Sequence, residues 1–107
     1  MSAKATIRIS SAGSAELAGD LTFNTVRGLA MEAAAVFAAN TSIRQLDLAN
    51  IKRVDSSGLA LLLEWQASAK KCGTLLQVIH APDDLVSLAK LCEAQELLQL
   101  QTRQRMN

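Results

Sequence analysis

Leu46-Asp47-Leu48-Ala49-Asn50-Ile51-Lys52-Arg53-Val54-Asp55-Ser56-Ser57-Gly58-Leu59-Ala60-Leu61-Leu62-Leu63 passes from one hydrophobic period to another. Leu46 and Leu48 alternate with Gln45 and Asp47, which predicts a strand over 43–48. From Ser57 to Cys72 the apolar residues recur at helical spacing, with Lys70 and Lys71 in the last turn and Gly73 as a stop. The intervening 49–55 reads as a loop carrying Lys52 and Arg53. Asp55 or Ser56 is placed to cap the helix, because either side-chain oxygen accepts the orphan amides of its first turn. Gly58 leaves room near that turn for another backbone or a partner.

On the N-terminal side, Ala5, Ile7 and Ile9 alternate with polar residues, Ser10-Ser11-Ala12-Gly13 is turn chemistry, and 14–18 returns as a second strand before Gly19-Asp20. A helix is expected over 22–39, capped by Thr22 or Asn24, with Val26, Leu29, Ala30, Ala33, Val36 and Phe37 on one side. On the C-terminal side, 75–79 is a nearly continuous apolar run, expected as a strand covered on both faces. Pro82 suits the first position of a further helix that buries Leu85, Leu88, Ala89 and Cys92. Leu98 and Leu100 suggest a last edge strand, and 102–107 is a tail expected to fray. The order β-β-α-β-α-β-α-β predicts an α/β fold. Its mixed sheet has an N-terminal antiparallel hairpin, right-handed parallel βαβ crossovers and three to four helices. With 107 residues it is expected to be a single domain over 1–107, ordered from about 4 to 100.

Composition excludes several functions. Lys and Arg number 11 against 10 Asp and Glu, so no basic footprint points to nucleic acid or an anionic membrane. With 18 Ala, 17 Leu, no Tyr and three aromatic residues, the chain has no platform for base stacking. No apolar run approaches the roughly 20 residues of a membrane span, so no direct membrane insertion is expected. The first residues lack the apolar stretch of a signal peptide. Cys72 and Cys92 form no CxxC, which fits reduced thiols in a cytoplasmic protein and small core or boundary positions. His80 is the sole histidine and reads as a surface or cap residue, so no metal site is expected. There is no glycine-rich phosphate loop and no nucleophile–base set, so no cofactor and no enzymatic activity are expected, ATP hydrolysis included.

On a helical projection from Leu59, the residues Leu59, Leu62, Leu63 and Ala69 form the sheet-facing stripe, and Glu64, Ser68 and Lys71 the solvated side. Leu61, Trp65 and Cys72 fall between them. A Leu beside the sole Trp on such a flank has the profile of an interface anchor, unless a neighbouring helix covers it. Gln66 is a polar interruption of the core stripe, placed at a crowded edge or bonded to backbone.

The Leu46–Leu63 stretch resembles the signature of STAS domains: a Leu-Asp-Leu strand, a loop, then Asp-Ser-Ser-Gly-Leu opening a helix, matched at Asp47, Asp55, Ser56, Gly58 and Leu59. Val54–Leu63, Ala69-Lys70-Lys71 and Leu88-Ala89-Lys90-Leu91 are similar to the MlaB branch of that family, although Ser56 stands where its best-known members have Thr. The resemblance implies a non-catalytic cytoplasmic subunit, peripheral to the inner membrane through its complex. Such a subunit binds and supports the MlaF-like ATPase, and indirectly the permease, of an ABC transporter that moves phospholipids for outer-membrane lipid asymmetry. It implies partner-binding residues Asp55, Ser56, Ser57 and Gly58, to which the flank adds Leu61 and Trp65. Serine at 56 also keeps a second reading, an anti-sigma factor antagonist switched by phosphorylation of Ser56.

Overall fold

Strands of period two and helices of period 3.6 each leave one apolar side, and the chain buries these sides against each other. The computed structural model describes residues 3–39, 42–98 and 100–102. In chain order the elements are β1 (Thr6–Ser11), β2 (Ser14–Leu21), α1 (Val26–Ala39), β3 (Gln45–Val54), α2 (Ser56–Lys71), β4 (Gln77–Ala81), α3 (Asp83–Leu91), α4 (Gln95–Leu98) and β5 (Leu100–Thr102). One five-stranded sheet has the order β1-β2-β3-β4-β5. β1 and β2 are antiparallel, and every later neighbour is parallel. The expected α/β class, N-terminal hairpin and parallel crossovers are therefore present.

Ile7 lies opposite Leu17, Ala15 beside Leu46, and Leu46 beside Val78, and all of these are buried. They form one core with Leu29 and Ala33 of α1, Leu59 and Leu62 of α2, and Leu85 and Ala89 of α3. Alternate positions of β1, β2 and β3 carry Arg8, Glu16 and Asp47, and His80, two residues after the buried Val78, reaches Asp47 from a backbone with φ of 55°. Arg8 Nη2 lies 3.4 Å from Glu16 Oε1, and His80 Nδ1 lies 2.9 Å from Asp47 Oδ1.

β3 corrects the expected loop over 49–55: the strand continues to Val54 beside β2. Two register shifts interrupt the β2–β3 ladder, so that Glu16 pairs with Asp47 but Ala18 with Asn50, and Gly19 with Ile51 but Asp20 with Arg53. Each inserts an extra residue into β3. The buried positions become Leu48, Ile51 and Val54, three apart, and the alternation that marks a strand is lost. β2 likewise runs past Gly19, whose φ of +97° lets the N-terminal segment cross it; a Cβ there would meet the Lys4 carbonyl oxygen.

Other boundaries shift for local reasons. α1 begins at Val26 rather than Thr22, because 22–25 form a turn in which the Thr25 hydroxyl donates to the carbonyls of Asp20 and Thr22. The Thr25 oxygen also accepts the Thr22 N–H at 3.0 Å. β4 begins at Gln77, not Leu75, and Leu75 is exposed. Its faces are not both covered, since Ile79 is only half-buried. Pro82 is the cap before α3, not its first helical residue. Leu98 ends the short α4 rather than opening a strand, and β5 starts at Leu100. Cys72 and Cys92 are exposed free thiols at the C-caps of α2 and α3, outside the core because each helix has ended. The tail expected over 102–107 lies outside the described residues from 103 onward.

Gln66 is 4% exposed. Its Nε2 donates to the Leu76 carbonyl at 2.5 Å, and its Oε1 accepts the Leu76 N–H at 2.8 Å. One side-chain amide thus satisfies both backbone groups of the residue before β4 and fixes where that strand enters the sheet. Replacing Gln66 by Leu keeps the volume but leaves both Leu76 groups buried without partners, and a loss of about 2–4 kcal/mol is expected. Urea unfolding of the Gln66→Leu variant measures it; a change below about 0.5 kcal/mol would contradict this role.

Candidate functional site

The start of α2 is held by one carboxylate. Asp55 has extended backbone, and its Oδ1 accepts the N–H groups of Ser57 at 2.9 Å and Gly58 at 3.3 Å. Of the two cap candidates, Asp55 is therefore the one that bonds. Its second oxygen, Oδ2, accepts the Phe23 N–H at 3.0 Å, and its backbone N–H donates to the Leu21 carbonyl at 3.0 Å. The same side chain closes the helix terminus and ties it to the turn between β2 and α1. An anionic group also suits this end of the helix macrodipole.

Gly58 is the steric counterpart of that tie. A Cβ at this position would run into the Leu21 carbonyl oxygen and lie 2.7 Å from the Leu21 Cβ. The helix lies directly on the end of β2, and only glycine permits the approach.

This junction sorts the expected site residues. Ser56 is exposed and Ser57 half-buried, so their hydroxyls face outward to different degrees. Asp55 is half-buried and engaged on both oxygens. Gly58 is buried and shapes the site without presenting a surface of its own. Phe23 was not legible as a site residue, yet its ring is 78% exposed while its amide is fixed by Asp55. The available signal was a large apolar residue inside an otherwise polar turn, Thr22-Phe23-Asn24-Thr25. Lone exposed apolar residues are ordinary, but one anchored beside a helix terminus is a defined feature.

The Leu61 and Trp65 flank is not the free apolar surface that the helical projection suggests. Leu61 is 8% exposed. Trp65 is half-buried, and the Phe37 ring of α1 meets it edge-to-face with centroids 5.2 Å apart. The covering helix is α1. Leu63, expected in the core stripe, is only half-buried, because the buried arc of α2 is turned toward Gly58, Leu61 and Leu62. Among the described residues no three His, Cys, Asp or Glu side chains gather to hold a metal ion.

A family model described as "Mlab, STAS domain" matches residues 7–100. The chain belongs to the MlaB-type STAS family. The match covers all the strands and helices from β1 to the start of β5. No curated protein matches the chain. In this STAS domain the Asp-Ser-Ser-Gly quartet is a structural joint at Asp55 and Gly58 and an exposed edge at Ser56. Gly58→Ala should therefore destabilise the domain by about 2–3 kcal/mol through overpacking. Asp55→Ala should remove about 1–2 kcal/mol through loss of the cap. Thermal and urea unfolding of the two variants check both values; a neutral Gly58→Ala would show that the close approach to Leu21 does not exist.

Proposed function

We propose that this STAS domain is a non-catalytic subunit that binds the ATPase subunit of a phospholipid-transporting ABC complex, docking through the edge formed by Ser56 and Phe23. The observation that carries the reading is the exposed Phe23 ring, held by its own backbone amide on the Asp55 carboxylate, next to the exposed Ser56. A large exposed aromatic on a fixed backbone is suited to anchor an interface, because little freedom is lost when it binds. The resemblance to MlaB supports the ATPase as partner. In this reading the domain is cytoplasmic and reaches the membrane only through its complex. Among the described residues no helix is long and apolar enough to cross a membrane. Trp65 acts behind this edge by packing α1 on α2, and Leu61 and Gly58 act as its support.

Ser56 favours a second reading on one specific ground. It is a serine with an exposed side chain in the first turn of a helix, where a phosphate would meet the positive end of the macrodipole. That is the arrangement of an anti-sigma antagonist, whose partner is a serine kinase rather than a transporter ATPase.

Affinity and stability measured together separate the two roles. Phe23→Ser should leave the free domain within about 0.5 kcal/mol of its parent, since the ring is already in water. It should weaken ATPase-subunit binding by about tenfold or more, as anchor truncations of about 2 kcal/mol do. Ser56→Asp should leave the stability of the isolated domain within about 1 kcal/mol, yet weaken the complex, where the added charge is desolvated. Ser56→Thr should bind as the parent does. Calorimetry with the purified ATPase subunit provides the test. Unchanged affinity of Phe23→Ser and Ser56→Asp would remove this edge from the interface. Selective phosphorylation of Ser56 by an anti-sigma kinase, without ATPase binding, would establish the second reading.

A further inference from the structure

Away from the Ser56 edge, α1 and α2 do not close fully against each other. Between them lies a groove of about 520 Å³. Its floor is Ile43 and Leu76, both buried, and its α2 wall is Leu61, Trp65 and Ala69. The α1 wall is Phe37 with Ala30 and Ala34, so the side chains that would fill the space are methyl groups. The edge-to-face contact of Phe37 with Trp65, centroids 5.2 Å apart, sets a spacing between the helices that alanines cannot bridge. Protein interiors ordinarily close such space. A volume of this size falls in the range of small-molecule pockets, roughly 300–1,000 Å³.

Among the described residues the lining contains one charged side chain, Glu64, which is exposed and has no ion-pair partner there. Among the described residues no lysine or arginine lines the groove. Its chemistry is thus a mainly apolar trough with two aromatic rings, the neutral polar side chains of Ser68, Thr74 and Cys72, and Glu64 as the charged group. That combination disfavours fatty acids and other anionic amphiphiles, which would bring like charge to Glu64. It suits an organic cation with an apolar body: the chain or ring lies on Leu61, Ile43 and Leu76, and the positive group meets Glu64 and the aromatic pair.

We propose that the α1–α2 groove is a binding site for an apolar organic cation, an alkyl- or arylammonium compound, selected by Glu64 and Trp65. The site is separate from the Ser56 edge and does not depend on the ATPase reading.

Trp65 is the only tryptophan and the chain has no tyrosine, so its fluorescence reports on this groove directly. The full chain is titrated below the micellar range with dodecyltrimethylammonium and with dodecanoate. The expected result is a saturable shift of Trp65 emission with the ammonium compound, and binding of dodecanoate at least about tenfold weaker, the ratio given by about 1.4 kcal/mol of charge recognition. Glu64→Gln, a change on an exposed side chain, should bring the two affinities within a factor of about three while leaving the fold intact. Ala34→Leu should fill the groove and abolish the shift, with circular dichroism confirming that the variant is folded. Absence of a saturable shift in the parent protein overturns the proposal. So does equal affinity of the parent for the two compounds, or parental binding by folded Ala34→Leu. If Ala34→Leu does not fold, the parent and Glu64→Gln titrations decide alone.

Discussion

The carboxylate of Asp55 is the point at which three parts of the chain are joined. It accepts two amides from the first turn of α2 and one from Phe23, while the Asp55 N–H reaches the end of β2 at Leu21. These are charge-assisted bonds to backbone groups that would otherwise be orphaned at a helix terminus and in a tight turn. Gly58 makes the junction sterically possible by letting the helix rest on the Leu21 carbonyl. The direction in which α2 leaves the sheet, the start of α1 and the display of Phe23 and Ser56 all follow from this junction. An edge built in this way is ordered without being buried, because its order comes from backbone bonds and not from the packing of the exposed side chains.

The far end of α2 is fixed by a different device. Gln66 takes both backbone groups of Leu76, so α2 is tied to β2 at its start and to the entry of β4 ten residues later. Between these ties Leu59 and Leu62 supply the apolar contact with the sheet. The helix is thereby located along its length as well as across the sheet. A hydrophobic stripe alone would leave it free to slide, because apolar contact carries no direction. Polar groups set the position, and apolar burial supplies most of the stabilisation.

Much of this was legible in the sequence where one local rule governs. The hairpin, the alternation of strands and helices, and Asp55 as one of two cap candidates follow from periodicity and capping chemistry, the helix opening at Ser56 rather than Ser57, and the signature around Asp55 points to the family. β3 was shortened because its two bulges place Leu48, Ile51 and Val54 three residues apart, a spacing that no period-two rule recovers. The start of β4 was misplaced because Leu75 and Leu76 look like strand residues, while Gln66, ten residues upstream, already holds the Leu76 backbone. Whether the flank at Leu61 and Trp65 is open or covered stays undecided in the sequence, because a helical projection shows only one helix. The neighbour is α1, whose Phe37 ring packs edge-to-face against the indole. Phe23 carried no periodic signal at all, since its importance lies in where its amide is bonded.

Amide hydrogen exchange at Phe23 tests the junction most directly. The ring is 78% exposed and the residue lies in a turn outside any helix or strand, so without the Asp55 bond its amide should exchange as fast as that of an unstructured peptide. The account predicts that the Phe23 amide is protected at least about a hundredfold in the intact domain, and that Asp55→Asn, which weakens the acceptor, reduces this protection while α2 remains helical. A Phe23 amide that exchanges at the unstructured rate in the intact domain would contradict the claim that Asp55 builds the edge.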